Sequence, residues 1–235
     1  MNDWGSMWSN FCRQFIDKGG YIKVLDGLAA TAEIAVFGLL IGIVIGTLLA
    51  IAKVVPKYKI LPRVLSAFAD VYIGFFRGTP MVVQLLIGYY VLFPLMNISM
   101  NPILVAILIF GLNSGAYVSE IMRSGINSVD KGQLEAGRAV GLSYGASMMK
   151  IVIPQAVKNI LPTLGNEFIV LVKETSVTSF IAVTDLTKAF RDIGDANYEW
   201  IIPYLVLAAV YLGIVLVITR LIKLLERRLA KSDRS

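Results

Sequence analysis

The segment TLGNEFIVLVKETS, Thr163 to Ser176, carries charges of both signs inside an otherwise apolar stretch. Read as a helix, it puts Thr163, Asn166, Glu167, Val170, Lys173 and Glu174 on one face, at spacings of three, one, three, three and one. A lysine and a carboxylate held side by side suit a zwitterion. Lys173 can pair with a carboxylate, and Glu174 or Glu167 with an ammonium group. Thr175 and Ser176 add short donors and acceptors. A plainer reading stands beside this one. Lys173 and Glu174 can lie at a membrane surface, with Lys173 snorkelling to water. Glu167 can be a buried carboxyl kept protonated by desolvation, or can pair with Lys158 or Arg77. Asn166 can be a hydrogen-bonding bridge between helices.

Other polar residues interrupt apolar segments. Arg77 precedes Gly78-Thr79-Pro80, where proline bends or restarts a helix. Arg77 therefore either lines a central path or belongs to the inner surface or a contact between copies. Asn113, Tyr117, Glu120 and Ser124 follow one helical face, and Glu120 with Arg123 makes an i, i+3 pair. That pair is expected to stabilise its helix, with direct solute contact as the alternative. The chain has no histidine, which removes the usual general base and the commonest metal ligand. Its one cysteine, Cys12, allows no intrachain disulfide. The carboxylates form no recognisable catalytic pair, so no catalytic or metal-binding residue is assigned.

The elements that position these residues are membrane spans. The chain of 235 residues is 57% hydrophobic and 16% charged, with mean hydropathy +0.72. Its apolar residues come in long blocks: Gly27 to Ala52 holds one charge, Glu33, while Pro102 to Ser119 and Ile201 to Thr219 hold none. A bilayer core needs roughly 20 apolar residues in a helix. The expected fold is an all-α integral membrane protein of about five spans, near 27–52, 65–95, 102–121, 152–173 and 201–221. The second is longer than a crossing needs and is expected to lie partly in plane. One side of these spans carries Lys53, Lys57, Lys59, Arg63, Arg123, Lys131, Arg138, Lys150, Lys158, Arg220, Lys223, Arg227, Arg228, Lys231 and Arg234; the other carries Arg13, Lys18, Lys23, Lys188 and Arg191. The positive-inside rule makes the first side cytoplasmic and leaves the amino terminus outside. The net charge of +6 is thus a topology signal and gives no ground for a nucleic-acid partner. The start, MNDWGSMWSN, lacks a basic n-region and cleavage site, so no removable signal is expected. Gly38, Gly42 and Gly46 recur every four residues and predict close helix packing. Ser179 to Ile193, with Phe180, Val183, Leu186 and Phe190 at helical spacing, reads as one amphipathic helix at the outer interface.

Between two spans lies a polar, glycine-punctuated insert, GQLEAGRAVGLSYGASMMKIVIP, Gly132 to Pro154. Asp130 can cap a short helix while Gln133 reaches back, and Val129 and Leu134 sit where a hydrophobic staple forms. Gly141 suits a left-handed C′ position with Leu142 as the apolar residue after it. Ser143 then caps a second short helix, with Tyr144, Met148 and Ile151 on one face before Pro154. A short helix capped at both ends and held between spans has the form of an element that docks in a partner's groove. An ordinary loop packed on its own spans fits the same residues equally well.

EAGRAVG (Glu135 to Gly141) followed by IVIPQA (Ile151 to Ala156) resembles the "EAA" loop of ABC-importer permeases. The family pattern has alanine where Gly137 stands and leucine where Ile153 stands; Gly137 weakens the helix by up to ~1 kcal/mol. FRGTPMVVQLL (Phe76 to Leu86), GAYVSEIMRSGI (Gly115 to Ile126) and PTLGNEFIVLVKETS (Pro162 to Ser176) extend the resemblance, in order, to the polar-amino-acid branch of that family. The resemblance covers about residues 24–228. It implies a permease domain there, with a coupling loop near 129–154, an external segment 1–23 and a cytoplasmic tail 229–235.

It further implies that Gln133, Glu135, Ala136, Gly137, Gly141, Leu142 and Ser143 couple the chain to a cytoplasmic ATPase. It makes Lys173, Glu174, Thr175 and Ser176 part of an amino-acid site, to which Glu167 and Asn166 are added by extension. The implied partners are two copies of an ABC ATPase, a second permease subunit (a copy or a paralogue) and an extracytoplasmic substrate-binding protein, in a bacterial cytoplasmic membrane. The chain has no Gly-Lys dipeptide and so no phosphate loop of the Walker type. No cofactor is expected in this chain; ATP and magnesium belong to the partner, and this chain is not an enzyme. A gradient-driven amino-acid carrier is the alternative, although the internal repeats and broken midplane helices expected of one are not evident in the sequence and five spans are few. An intramembrane enzyme is a third class.

Overall fold

A computed structural model of the protein describes residues 3–56 and 58–231. Lys57 and Arg234, counted above among the inner basic residues, lie outside them, as do the last four residues of the 229–235 tail. The described chain is helical: α1 (Trp4–Cys12), α2 (Gly20–Val54), α3 (Ile60–Gly78), α4 (Met81–Ile87), α5 (Phe93–Leu95), α6 (Pro102–Asn127), α7 (Lys131–Ala139), α8 (Tyr144–Ser147), α9 (Ile153–Glu174), α10 (Leu186–Asp195) and α11 (Ile201–Lys231). Among the described residues α2, α6 and α11 are long and apolar enough to cross a membrane, and a fourth span results if Ile60–Gly78 and Met81–Leu95 count as one. The chain is therefore an all-α membrane protein. Thr79-Pro80 does restart the helix: α3 ends at Gly78, and Pro80 is the extended N-cap of α4. α9 has the length for a span, but Lys158, Glu167, Lys173 and Glu174 leave it less apolar than the other three.

Two compact units divide the chain. One comprises Met1–Gly38, Thr79–Phe110 and Val170–Val217. Its core joins Met7 and Phe11 of α1 to Leu186, Phe190 and Ile193 of α10 and to Ile202 and Leu207 of α11. The Asn10 amide donates to both carboxylate oxygens of Glu199, at 3.4 and 3.3 Å, and Gln14 donates to Asn197 at 2.9 Å. The single amphipathic helix expected over Ser179 to Ile193 is corrected here. A 3₁₀ turn, Thr175–Ile181, stops at Ala182, whose φ is +64°, and α10 starts afresh after Asp185. The Asp185 carboxylate accepts from the Thr187 N–H at 2.9 Å and the Lys188 N–H at 3.0 Å, satisfying donors that open a helix. Val183, Leu186 and Phe190 are buried, and Phe180 is exposed. The apolar face is spent on this core instead of lying on lipid.

The other unit comprises Leu39–Gly78, Gly111–Ile169 and Ile218–Ser235. Here the second half of α2 meets α6 at very close range. A Cβ on Gly42 would stand 2.7 Å from Ser114 Oγ, and one on Gly46 2.7 Å from Val118 Cβ. From the α6 side, a Cβ on Gly111 would stand 2.5 Å from Ile41 and one on Gly115 2.7 Å from Ile45. Glycines on both helices thus let the backbones interlock, as the spacing predicts for Gly42 and Gly46. Below this contact Val118, Val129, Val152, Ala156, Ile160 and Leu164 form a core that binds α6 to the segment after α7.

Candidate functional site

α9 carries the first set of candidate residues. Along it Asn159, Thr163, Asn166, Val170 and Lys173 are exposed, at spacings of four, three, four and three. They form one stripe, polar except for Val170. Glu167 belongs to the other side of the helix: it is buried and accepts from the Ser114 hydroxyl at 3.0 Å. The face assembled from the sequence thus divides, with Asn166 and Lys173 outward and Glu167 inward. Glu174 and Ser176 are half-buried. Thr175 is fully buried and spends its hydroxyl on the Val172 carbonyl at 2.8 Å.

On α3 and α6 a second set forms. Tyr72 donates to the Leu112 carbonyl at 2.7 Å, and the Asn113 amide donates to the Phe76 carbonyl at 3.3 Å. Asn113 is buried. These bonds fix the end of α3 on α6 and bring the Arg77 guanidinium to 5.4 Å from the centre of the Tyr117 ring, within cation–π range. One turn further along α6, Glu120 accepts from Arg123 as the spacing predicts. Sequence reasoning missed the rest of this network. Lys53 Nζ lies 2.8 Å from Asp70 and 3.4 Å from Glu120, so one lysine at the end of α2 bridges α3 and α6. An acid in the middle of α3 was the available signal.

The third set is the insert. Asp130 caps α7 by accepting from the Gly132 N–H at 2.6 Å. The expected reach of Gln133 back to the cap does not occur; its side-chain oxygen accepts from the Gln155 amide at 3.3 Å. Val129 and Leu134 join the same core, as a staple requires. At the far end Gly141 has φ +90°, its N–H donates to the Arg138 carbonyl at 3.0 Å, and the Leu142 N–H donates to the Gly137 carbonyl at 3.1 Å. This is a complete Schellman termination. Gln133, Glu135, Ala136 and Arg138 are exposed, while Leu134 and Gly137 face inward. A Cβ on Gly137 would stand 2.7 Å from Ile151 and 2.9 Å from the Ser147 hydroxyl, which accounts for glycine where the family pattern has alanine. Ser143 caps α8 through the Ala146 N–H at 3.2 Å. That helix does not stop at Pro154. A π-turn, Met148–Val152, carries it directly into α9. Pro154 lacks an N–H and crowds the Lys150 carbonyl, and a wider turn just before it relieves both. A cleft of about 830 Å³ lies beside α7, lined by Lys53, Arg123, Asp130, Lys131, Glu135 and Tyr144 among others.

The family described as "Binding-protein-dependent transport system inner membrane component" matches residues 38–231 of this chain. The chain belongs to that family. This permease is 39% identical over 210 residues to the arginine transport system permease protein ArtQ of Bacillus subtilis (strain 168), covering 89% of this chain and 94% of that one. It is 36% identical over 204 residues to the L-cystine transport system permease protein TcyB of the same organism, covering 86% and 85%. A crystal structure of an amino acid ABC transporter with histidines superposes with a TM-score of 0.83 at 34% identity, over 97% of this chain and 99% of that chain. The protein is thus a multi-pass permease subunit of a bacterial inner-membrane ABC importer. Among the described residues no group of three or more His, Cys, Asp or Glu could hold a metal ion.

Proposed function

We propose that this permease imports a polar amino acid, with five spans, the amino terminus outside and α7 docked on a cytoplasmic ATPase. α9 is the fourth of those spans, and the broken pair α3–α4 with α5 is the second. Two ATPases, a second permease subunit and an external binding protein complete the assembly; ATP and magnesium act on the ATPases. ATP-driven approach of the ATPases draws the α7 helices of the two permeases together and favours one packing of the spans over another.

The observation that carries the substrate class is the stripe on α9. A run of exposed polar side chains ending in Lys173, with Glu174 adjacent, is expensive against lipid and makes sense against a water-filled path. Lys173 offers a cation to a carboxylate, and Glu174 an anion to an ammonium group. Ser176 and Asn166 add neutral partners. Thr175, with its hydroxyl already bonded, shapes the site and does not ligate. Glu167 braces α9 on Ser114. The arginine and cystine named for the relatives support a polar amino acid as the class.

Reconstitution in liposomes with the cognate ATPase and binding protein tests this reading. Uptake of radiolabelled L-arginine, L-glutamine or L-cystine is expected only with ATP inside the vesicles. Uptake without ATP that follows an imposed proton or sodium gradient refutes it in favour of a secondary carrier.

A further inference from the structure

α1, Trp4–Cys12, is too short to cross a membrane, and its sides divide sharply. Met7 and Phe11 enter the core shared with α10 and α11. Ser6 and Ser9, on the opposite side, are exposed. Trp4 and Trp8 lie one turn apart on the edge between those sides and are 61% and 53% exposed. Two large apolar rings left uncovered beside a packed core mark a surface that something else covers.

The indoles border α11. Together with Leu205, Ala209 and Val210 among others they line a groove of about 570 Å³, and every side chain that lines it is apolar. α11 begins at Ile201, and Val210 stands nine residues further on. At 1.5 Å per residue that is about 13 Å along the helix. A membrane core is about 30 Å thick, so with α11 as a span the groove runs through most of one leaflet. Past the groove the same stripe of α11 continues through Leu212 and Leu216, both exposed, at spacings of three and four from Ala209. The groove is therefore continuous with an apolar face of a membrane-spanning helix. Other exposed aromatics mark the same end of the spans. Tyr198 and Trp200, ring centres 6.4 Å apart, immediately precede α11, and Tyr21 is in the first turn of α2. Aromatic rings with one polar handle collect where acyl chains meet headgroups.

We propose that α1 lies in the membrane surface and that a phospholipid acyl chain fills the groove between Trp4, Trp8 and α11. A helix with one apolar side and one polar side, bearing tryptophans at the border, is suited to that plane. An acyl chain needs no hydrogen-bond partner, and the groove offers none. With the amino terminus outside, as proposed above, the lipid belongs to the outer leaflet. The inference rests on α11 as a span and is independent of the substrate.

The test is quenching of tryptophan fluorescence in the permease–ATPase complex, reconstituted in vesicles of brominated or unbrominated phosphatidylcholine. Subtracting the emission of the Trp4→Phe, Trp8→Phe double variant isolates the two indoles from Trp200 and from the ATPase. Each single variant reads one indole alone, should the double variant fail to assemble. Bromines high on the acyl chains are expected to lower the difference emission roughly twofold or more, as for a helix seated about 5–10 Å into the boundary. Bromines at the chain ends should quench less, and aqueous iodide should not quench. Quenching by iodide with none by bromine puts α1 in water and overturns the proposal. Quenching by neither means that protein, such as a second permease copy, covers the groove, and overturns it equally. Bromines in both leaflets make the result independent of orientation.

Discussion

Gly141 offers the sharpest test of α7 as the coupling element, because its environment isolates one physical effect. Its φ is +90°, and a Cβ there would meet nothing within 4 Å. A side chain at this position clashes with no neighbour; it strains only its own backbone. For an L-residue in the left-handed region that cost is about 1–2 kcal/mol, greater for a β-branched residue and smallest for asparagine. The strain is relieved by giving up the bonds that end α7, Gly141 N–H to Arg138 at 3.0 Å and Leu142 N–H to Gly137 at 3.1 Å. A loss of 1–2 kcal/mol shifts the ratio of ordered to frayed ends by about 5- to 30-fold. Gly141→Asn, Gly141→Ala and Gly141→Val should therefore lower uptake per ATP hydrolysed in that order, with the valine variant reduced by roughly tenfold, while insertion into the membrane is unaffected. The assay is parallel uptake and phosphate release in proteoliposomes. A valine variant with the wild-type ratio, or asparagine and valine variants that behave alike, would refute the coupling role of this helix end.

Three further outcomes are expected. Lys173→Met should weaken transport with membrane insertion intact; unchanged kinetics would return Lys173 to a snorkelling role. Gly46→Val would press on Val118 and on the Ser119 backbone N, 2.8 Å from the added Cβ, and should lower the melting temperature of the detergent-solubilised protein by the equivalent of about 1–3 kcal/mol. Gly213→Ala, where a Cβ meets nothing, is the control and should leave it unchanged or raise it. Burial raises the pKa of Asp185 above the usual carboxylate value, against the lowering effect of the Lys188 and Thr187 N–H groups. The folded state then holds its proton more tightly than the unfolded one. This contribution to stability is full below the unfolded pKa of about 3.9 and is lost as pH rises through the folded value. Asp185→Asn should remove that decline in thermal stability while keeping a capping acceptor; superimposable profiles for the two proteins would count against it.

The sequence by itself determined the membrane class, the family and the ends of α7. Each rests on signals that need no distant partner: uninterrupted apolar length in α2, α6 and α11, and a cap, a staple and a left-handed glycine within a few residues of one another. It also predicted the α2 glycine contact, because a repeat of four fixes one helical face. Tertiary structure decided what depends on residues far apart in the chain. Lys53 finds Asp70 and Glu120 only when three helices converge, and Arg77 finds Tyr117 only because Tyr72 and Asn113 bond across to the backbone of the facing helix. The face of α9 divided into Glu167 inside and Lys173 outside because periodicity assigns residues to faces but does not say which face a neighbour covers. The break before α10 came from a buried core drawing Val183, Leu186 and Phe190 inward. Local chemistry is written in local sequence, whereas burial is set by whatever the rest of the chain brings alongside.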